Sequence, residues 1–184
     1  VKEVVAFANT RGGQLILGVD DDGTASGVRN IDGEAFLLEK AIRELIRPSL
    51  LYTMELIPVN AKKGLALFDI AESRKKPHFV KDTPEIRKGT AFVRHKDESV
   101  KASREMREIM QRRLKNKDVQ FTYGDKEKVL MAYLDENEYI DLMEFCELAR
   151  IPRYNASRTL IRLVLANVID ILPQAGKDLY FLKR

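Results

Sequence analysis

The sequence has few of the residues that form cross-links and metal clusters, since its 184 residues include one cysteine and two histidines. The single cysteine, Cys146, excludes an internal disulfide framework and a cysteine metal cluster. His78 and His95 have no cysteine or second histidine at ligand spacing, so we interpret them as polar residues beside basic strands. No apolar run approaches the roughly 20 residues that cross a bilayer, and no signal segment stands at the front. We expect a cytoplasmic protein without a membrane partner.

The charge of the chain is unevenly distributed. The formal net charge is only +4, with 33% charged and 45% hydrophobic residues, which is enough apolar material for one large or two smaller domains. Residues 72–117 contain 15 lysines and arginines and 7 acidic residues, so this segment has a net charge of +8 and the rest of the chain has a net charge of −4. The segment is either a solvated surface or a basic surface for nucleic acid.

Periodicity predicts a mixed α/β first half. Val1, Val4, Val5 and Ala8 mark one helix face, which two glycines then end. A hairpin is predicted around the Asp-Gly turn at positions 20–23, and Pro48 ends a second amphipathic helix. The predicted strands are 14–20, 25–28, 51–59, 64–71, 76–81 and 90–95, and the predicted helices are 1–11, 33–46 and 102–115. This order predicts an α+β fold, with a mixed, largely antiparallel sheet and flanking helices, over residues 1–117.

The second half, residues 125–184, has the element order of a winged helix-turn-helix. Three helices are predicted at 126–137, 141–151 and 153–167, followed by a hairpin of strands 168–172 and 179–183. A polar joint at 116–125 links the halves. Residues 125–149 contain 8 acids and 2 bases, whereas residues 150–167 contain four arginines and no acid. The third helix is therefore the basic one.

The third helix places its charges on one face. Tyr154, Arg158 and Arg162 follow one another at i+4 spacing, which suits a nucleic-acid groove and its phosphates. Asn155 and Ser157 are candidates for base contacts, and Lys177 in the hairpin turn is a further phosphate candidate. The inward positions are predicted to be Ala156, Leu160 and Leu163 or Val164. The alternative is a winged helix that serves dimerisation or domain packing.

The stretch from Ala6 to Val28 resembles the core signature of the Schlafen-type AlbA-like domain, a DNA-binding family once grouped with divergent AAA proteins. The matching residues are Asn9, Thr10, Gly12, Gly13 and Gly18, and the later Pro-His pair and Arg-bearing strand also fall where family members carry them. The resemblance implies an AlbA-like domain over 1–117 that lacks the family's preceding strand. With the basic segment, it favours phosphate contacts by Lys75, Lys76, Arg87, Lys88, Arg94 and Lys96.

The glycine pair after the first helix has two interpretations, closure of the fold or a phosphate cradle. A nucleotide-cradling loop leads from a strand into a helix N-terminus with a following lysine, whereas here a helix leads into a strand. Two glycines let the chain reverse without a Cβ, and Asn9 and Thr10 can bond the backbone groups freed there. We therefore favour closure, and ATP binding stays the weaker alternative.

The three consecutive carboxylates Asp20, Asp21 and Asp22 are interpreted as a solvated hairpin tip, because adjacent strand residues point to opposite faces. The Schlafen resemblance adds an alternative, a metal-dependent nuclease to which Asp20 or Asp21 would supply one carboxylate, with Mg²⁺ or Mn²⁺ as the cofactor. The function predicted from the sequence is a bacterial-type transcriptional regulator without a cofactor. Its predicted partner is double-stranded DNA, bound by a chain that can form a homodimer.

Overall fold

A computed structural model describes residues 1–114 and 123–183 of the chain. The chain divides into two compact units, Val1–Ser99 and Val100–Arg184. This division falls earlier than the boundaries at 117 and 125 expected from the sequence, because the helix at 104–113 packs with the second unit. Residues 116–122 of the polar joint predicted at 116–125 lie outside the described residues.

The first unit begins with helix α1 and contains the first two predicted helices and the predicted strands in the predicted order. Its elements are α1 Lys2–Asn9, β1 Gly13–Leu17, β2 Val28–Arg29, α2 Ile31–Leu45, β3 Ile46–Arg47, β4 Tyr52–Asn60, β5 Lys63–Ile70, β6 Phe79–Val80, β7 Phe92–His95 and β8 Glu98–Lys101, the last of which runs into the second unit. The short strands β3 and β8 were not predicted. Strand β3 pairs antiparallel with β6, which lies more than thirty residues later in the chain. The sequence around β3 therefore gives no local signal of this pairing.

Strand β5 is the centre of a four-stranded antiparallel sheet. Strand β4 pairs along one edge of β5, while β1 and β2 pair with successive parts of the other edge. The predicted hairpin between 14–20 and 25–28 is therefore wrong, because both segments pair with β5 instead of with each other. The loop between them closes on itself, and Gly27 N–H donates to the Gly18 carbonyl at 2.9 Å.

The core of the first unit lies between this sheet and the helices α1 and α2. Alternate residues of β5, namely Ala66, Phe68 and Ile70, are fully buried, which is the period-2 pattern of a strand with one face on the core. The apolar faces of the helices meet them through Val4, Val5 and Ala8 of α1 and through Ile31, Ala35 and Ile42 of α2. The predicted α+β class is confirmed.

The described part of the second unit, residues 100–114 and 123–183, contains four helices and a small antiparallel sheet. Its elements are α3 Arg104–Arg113, α4 Asp125–Glu136, β9 Ile140–Asp141, α5 Leu142–Ala149, α6 Arg153–Leu165, β10 Ile169–Leu172 and β11 Leu179–Leu182. Strand β11 lies between β10 and β9. Helix α5 begins where the Asp141 carboxylate accepts from the Met143 and Glu144 amides, a capping box that stabilises its first turn. In the described residues, no helix is both long and apolar enough to span a membrane.

Candidate nucleic-acid interface

Asn9, at the end of α1, ties three parts of the first unit together. Its side chain is 3% exposed. The amide Nδ2 donates to the carbonyls of His78 at 3.0 Å and Phe92 at 2.8 Å, and Oδ1 accepts from His78 N–H at 2.7 Å. Both polar atoms of the side chain are thereby satisfied without a ligand, which is what a buried amide requires. These contacts make Asn9 a clamp between α1 and the segments leading through β6 and β7.

The glycine corner after α1 is filled by the protein's own atoms. Gly12 has φ +77°, and a Cβ there would lie 2.6 Å from the Ile70 carbonyl oxygen. A Cβ on Gly13 would collide with the Phe7 ring, and one on Gly18 would lie 2.9 Å from Leu65 Cδ2. Only glycine permits this approach of chain to chain. The space beside Gly12 is thus occupied by backbone of the same chain.

Thr10 completes the corner through its hydroxyl group. The Oγ1 atom donates to the Ala6 carbonyl at 2.8 Å and accepts from the Arg94 N–H at 2.8 Å. The hydroxyl therefore links the last turn of α1 to strand β7, more than eighty residues later. Such a long-range bond fixes the position of β7, the strand that carries Arg94 and ends at His95.

His78 is fully buried and makes two ring hydrogen bonds. Its Nδ1 lies 2.7 Å from the Pro48 carbonyl, which can only accept, so Nδ1 carries the proton. In the neutral ring Nε2 then accepts from the Ser73 hydroxyl at 2.6 Å. Burial lowers the pKa of His78, and the charges of Lys76 and Lys75 lower it further against the effect of the Pro48 carbonyl. The contacts are those of a neutral structural histidine.

Two of the basic residues predicted to touch phosphates are engaged within the first unit. Lys76 has a side chain that is 11% exposed, and its Nζ donates to the Thr10 carbonyl and to Glu72 Oε1, both at 2.6 Å. Arg94 is 26% exposed and donates to Glu3 Oε2 at 2.7 Å, with its guanidinium 5.2 Å from the Phe7 ring centroid. Both side chains already hold partners that a phosphate would have to displace.

Four other predicted basic residues of the first unit are exposed, and they are Lys75, Arg87, Lys88 and Lys96. In the part of the chain that the structure describes, none of them forms an ion pair with a carboxylate. Their long side chains can reach a ligand without breaking an internal contact. This set is the basic surface of the first unit.

The acidic loop after β1 is exposed and bonded to itself. The Asp20 carboxylate accepts from the Ser26 hydroxyl, and Asp22 Oδ1 accepts from the Thr24 N–H at 2.8 Å. This Thr24 amide lowers the pKa of Asp22. Gly23 supplies the positive φ of +86° that the predicted tight turn requires. Within residues 1–114 and 123–183, no three His, Cys, Asp or Glu side chains are arranged to hold a metal ion.

Helix α6 in the second unit has an apolar inner face and a basic outer face. The predicted inward positions are confirmed, since Ala156, Leu160, Leu163 and Val164 are all fully buried. The outer residues Tyr154, Asn155 and Arg158 are exposed and Arg162 is half-buried. Arg158 Nη1 donates to the Tyr154 hydroxyl at 3.2 Å, and its guanidinium lies 5.4 Å from the Tyr154 ring centroid. The aromatic ring and the arginine thus form one amphipathic surface.

Ser157 does not belong to this outer surface. It is buried, and its hydroxyl donates to Glu105 Oε1 of α3 at 2.6 Å. The expectation that Ser157 contacts bases is therefore wrong, because the packing of α3 on α6 covers it. Lys177, in the loop between β10 and β11, is exposed and donates to Asp141 Oδ2 at 2.8 Å.

A groove between α3 and α6 contains two arginines that sequence reasoning missed. The groove has a volume of about 320 Å³, and its lining residues are Arg104, Glu108, Arg112, Tyr154, Arg158 and Arg162. Three come from each helix at i+4 spacing, so each helix contributes one face. The spacing on α3 was a usable signal, but the sequence assigned α3 to the other domain.

The chain matches a family model whose description is Schlafen, AlbA_2. The match covers residues 1–103, more than half of the chain. The chain belongs to the Schlafen, AlbA_2 family. No curated protein and no solved structure matched it.

The match confirms the resemblance that the glycine corner indicated, and it supports a nucleic-acid-related function. The Schlafen, AlbA_2 match ends at position 103, close to the end of the first unit at Ser99 and directly before α3 begins at Arg104. The groove between α3 and α6 therefore lies outside the matched Schlafen, AlbA_2 residues. Its chemistry has to be argued from its own side chains.

Proposed function

We propose that this chain is a DNA-binding transcriptional regulator of bacterial type, whose second unit is a winged helix-turn-helix that binds double-stranded DNA through α6. One observation carries the proposal: α6 buries five apolar residues and turns Tyr154, Arg158 and Arg162 outward together. Arginine is the side chain most often used to read guanine in the major groove, and an exposed helix fits that groove.

The other elements of the second unit support this assignment. Three helices, α4, α5 and α6, precede the hairpin of β10 and β11, which would be the wing. Asn155 lies in the first turn of α6, where recognition helices contact base edges. Lys177 would contact phosphate from the wing, in competition with its ion pair to Asp141. A homodimer would present two α6 helices to one operator, and light scattering at the concentrations used for binding tests it.

The exposed basic surface of the first unit, Lys75, Arg87, Lys88 and Lys96, would track phosphates without reading sequence. Lys76 and Arg94 are expected to contribute little, since both are held in internal ion pairs. Neutralising the four exposed residues should weaken binding to all duplexes alike and flatten its salt dependence, because fewer counterions are released. An unchanged salt slope would remove this surface from the proposal.

The experiment that tests the α6 assignment is a fluorescence anisotropy titration of duplex DNA with the variant Arg158→Ala, Arg162→Ala. Removing an arginine that reads a base should cost about 1–3 kcal/mol of binding free energy. The matched control is Lys126→Ala, Lys128→Ala, which removes the same charge from α4 of the same unit. Equal affinity of the parent and the arginine variant would show that the second unit packs or dimerises instead of binding DNA.

The enzymatic alternative has its own test. Asp20→Asn and Asp21→Asn should leave duplex affinity unchanged or slightly higher, because they remove exposed negative charge. We expect no cleavage of RNA or DNA by the parent when Mg²⁺ or Mn²⁺ is added. If the parent cleaves nucleic acid in the presence of metal and either aspartate variant abolishes that cleavage, the chain is a nuclease and the regulator assignment is wrong.

A further inference from the structure

The groove between α3 and α6 concentrates positive charge with little compensation. Four guanidinium groups and, within the described part of the chain, a single carboxylate, Glu108, line it, and Glu108 pairs with Arg112 at 3.3 Å. Among the described residues, Arg104, Arg158 and Arg162 have no carboxylate within ion-pair distance. Cations that converge without counter-charges repel one another, so such a groove favours an anionic ligand that restores the balance.

The two helices that line the groove are held rigidly against each other. Glu105 of α3 is buried and accepts the hydrogen bond from Ser157 of α6, and Met106, Ile109 and Met110 bury the rest of the inner face of α3. The arginines at 104 and 112 are separated by eight residues, which is about 12 Å along a helix. The groove is therefore an extended channel with fixed walls, suited to a linear polyanion more than to a single small ion.

We propose that α3 is a backbone-positioning helix, in which Arg104 and Arg112 contact the sugar–phosphate backbone of the duplex whose major groove receives α6. The inference rests on the proposed function and deepens it, because it assigns phosphate contacts to a helix outside the Schlafen, AlbA_2 match. Phosphate contacts fix register and orientation but carry no base sequence, whereas α6 reads bases. Arginine suits this role, since its planar fork matches two phosphate oxygens.

Helix α3 supplies a matched control on its other faces. Arg107 donates from Nε to the Ser103 carbonyl at 3.1 Å, and Arg113 pairs with Asp170 at 3.5 Å, so neither lines the groove. The test compares Arg104→Ala, Arg112→Ala with Arg107→Ala, Arg113→Ala in the full chain. Both double variants remove two positive charges from the same ten-residue helix. Circular dichroism in urea shows that each variant is folded before binding is measured.

The measured quantity is the slope of log affinity against log salt for several mixed-sequence duplexes. The groove variant should lower the slope by about 1 for Arg104 and by less for Arg112, whose phosphate contact competes with its ion pair to Glu108. The effect should be equal for all sequences, and the control should keep the slope of the parent. The charge-retaining variant Arg104→Lys, Arg112→Lys should keep most of the slope. Inorganic phosphate, at ionic strength matched with chloride, should not displace the duplex at low concentration.

Each contrary outcome identifies what fails. If the groove variant keeps the parental slope while Arg158→Ala, Arg162→Ala weakens binding, the role of α3 is overturned and the regulator stands. Equal effects of the groove variant and its control would show diffuse charge and no groove contact. Displacement by dilute phosphate would show a small-anion site. If neither arginine pair matters, or the parent does not bind duplexes, the proposed function fails as well.

Discussion

Replacement of Asn9 by alanine should destabilise the first unit more than any exposed substitution. The side chain makes two buried hydrogen bonds, to the His78 carbonyl and the His78 N–H, and a part-buried one to the Phe92 carbonyl. At about 1 kcal/mol each, their removal lowers the free energy of unfolding by about 3 kcal/mol, since the three backbone groups lose this partner without a replacement. For a unit of this size, the midpoint of thermal unfolding should fall by more than about 10 °C.

The assay is unfolding of the full chain in urea, followed by circular dichroism, with both transitions fitted if the two units unfold separately. Asn9→Asp is a second variant, because it keeps the acceptor for His78 N–H but turns a carboxylate oxygen toward two carbonyls. It should be at least as unstable as Asn9→Ala. Asn155→Ala, on an exposed position, is the control and should change stability by less than about 0.5 kcal/mol. If Asn9→Ala changed the free energy of unfolding by a similarly small amount, the proposed role of Asn9 in holding α1 to the segments of β6 and β7 would be refuted.

Three further predictions follow from particular contacts. The pKa of His78 is lowered in the folded state, so as the pH falls the unfolded chain takes up a proton before the folded chain does. The free energy of unfolding should therefore fall as the pH drops below about 6.5. Urea titrations at pH 7.5 and 5.5 should show that His78→Gln loses this dependence. Gly12→Ala should destabilise by more than about 1 kcal/mol, because φ is +77° and the new Cβ meets the Ile70 carbonyl, as a thermal melt would show. Tyr154→Phe keeps the ring under Arg158 and should bind duplex nearly as well as the parent, whereas Tyr154→Ala should bind more weakly in anisotropy titrations.

Much of the secondary structure was predictable because its signals are local. Residues close together in sequence carry the i, i+3, i+4 apolar pattern of α1 and the apolar alternation of β5. The buried positions of α6 follow from the same kind of local pattern. The glycine corner was recognisable for a similar reason, since a backbone turn that leaves no room for a Cβ requires glycine at those positions. Strand pairing was not local. Strand β1 pairs with β5, about fifty residues away, although a turn-forming Asp-Gly pair follows it.

The candidate interface was predictable only where exposure followed from helix period. Tyr154, Arg158 and Arg162 were identified on that basis. Lys76 and Arg94 could not be separated from the exposed basic residues, because Thr10 and Glu3, which engage them, lie far away in sequence. Glu72, four residues before Lys76, was the one local signal.

Ser157 was misassigned for the same physical reason. A serine beside an arginine stripe has no local signal of burial, and its burial depends on Glu105 of a helix more than forty residues earlier. The groove itself was missed because α3 was grouped with the first half. A helix whose inner face packs on a later helix gives no sign of that partner in its own periodicity.

The most direct test of the central claim is the response of the arginine side-chain resonances to duplex DNA. In this 21.1 kDa chain, the Nε–H signals of Arg158 and Arg162 can be assigned by nuclear magnetic resonance with the alanine variants. They should shift on addition of a duplex, while Arg47, which donates to the carbonyls of Arg43 and Ile46 in the first unit, should not. Shifts confined to arginines of the first unit, with Arg158 and Arg162 unmoved, would contradict DNA binding through α6.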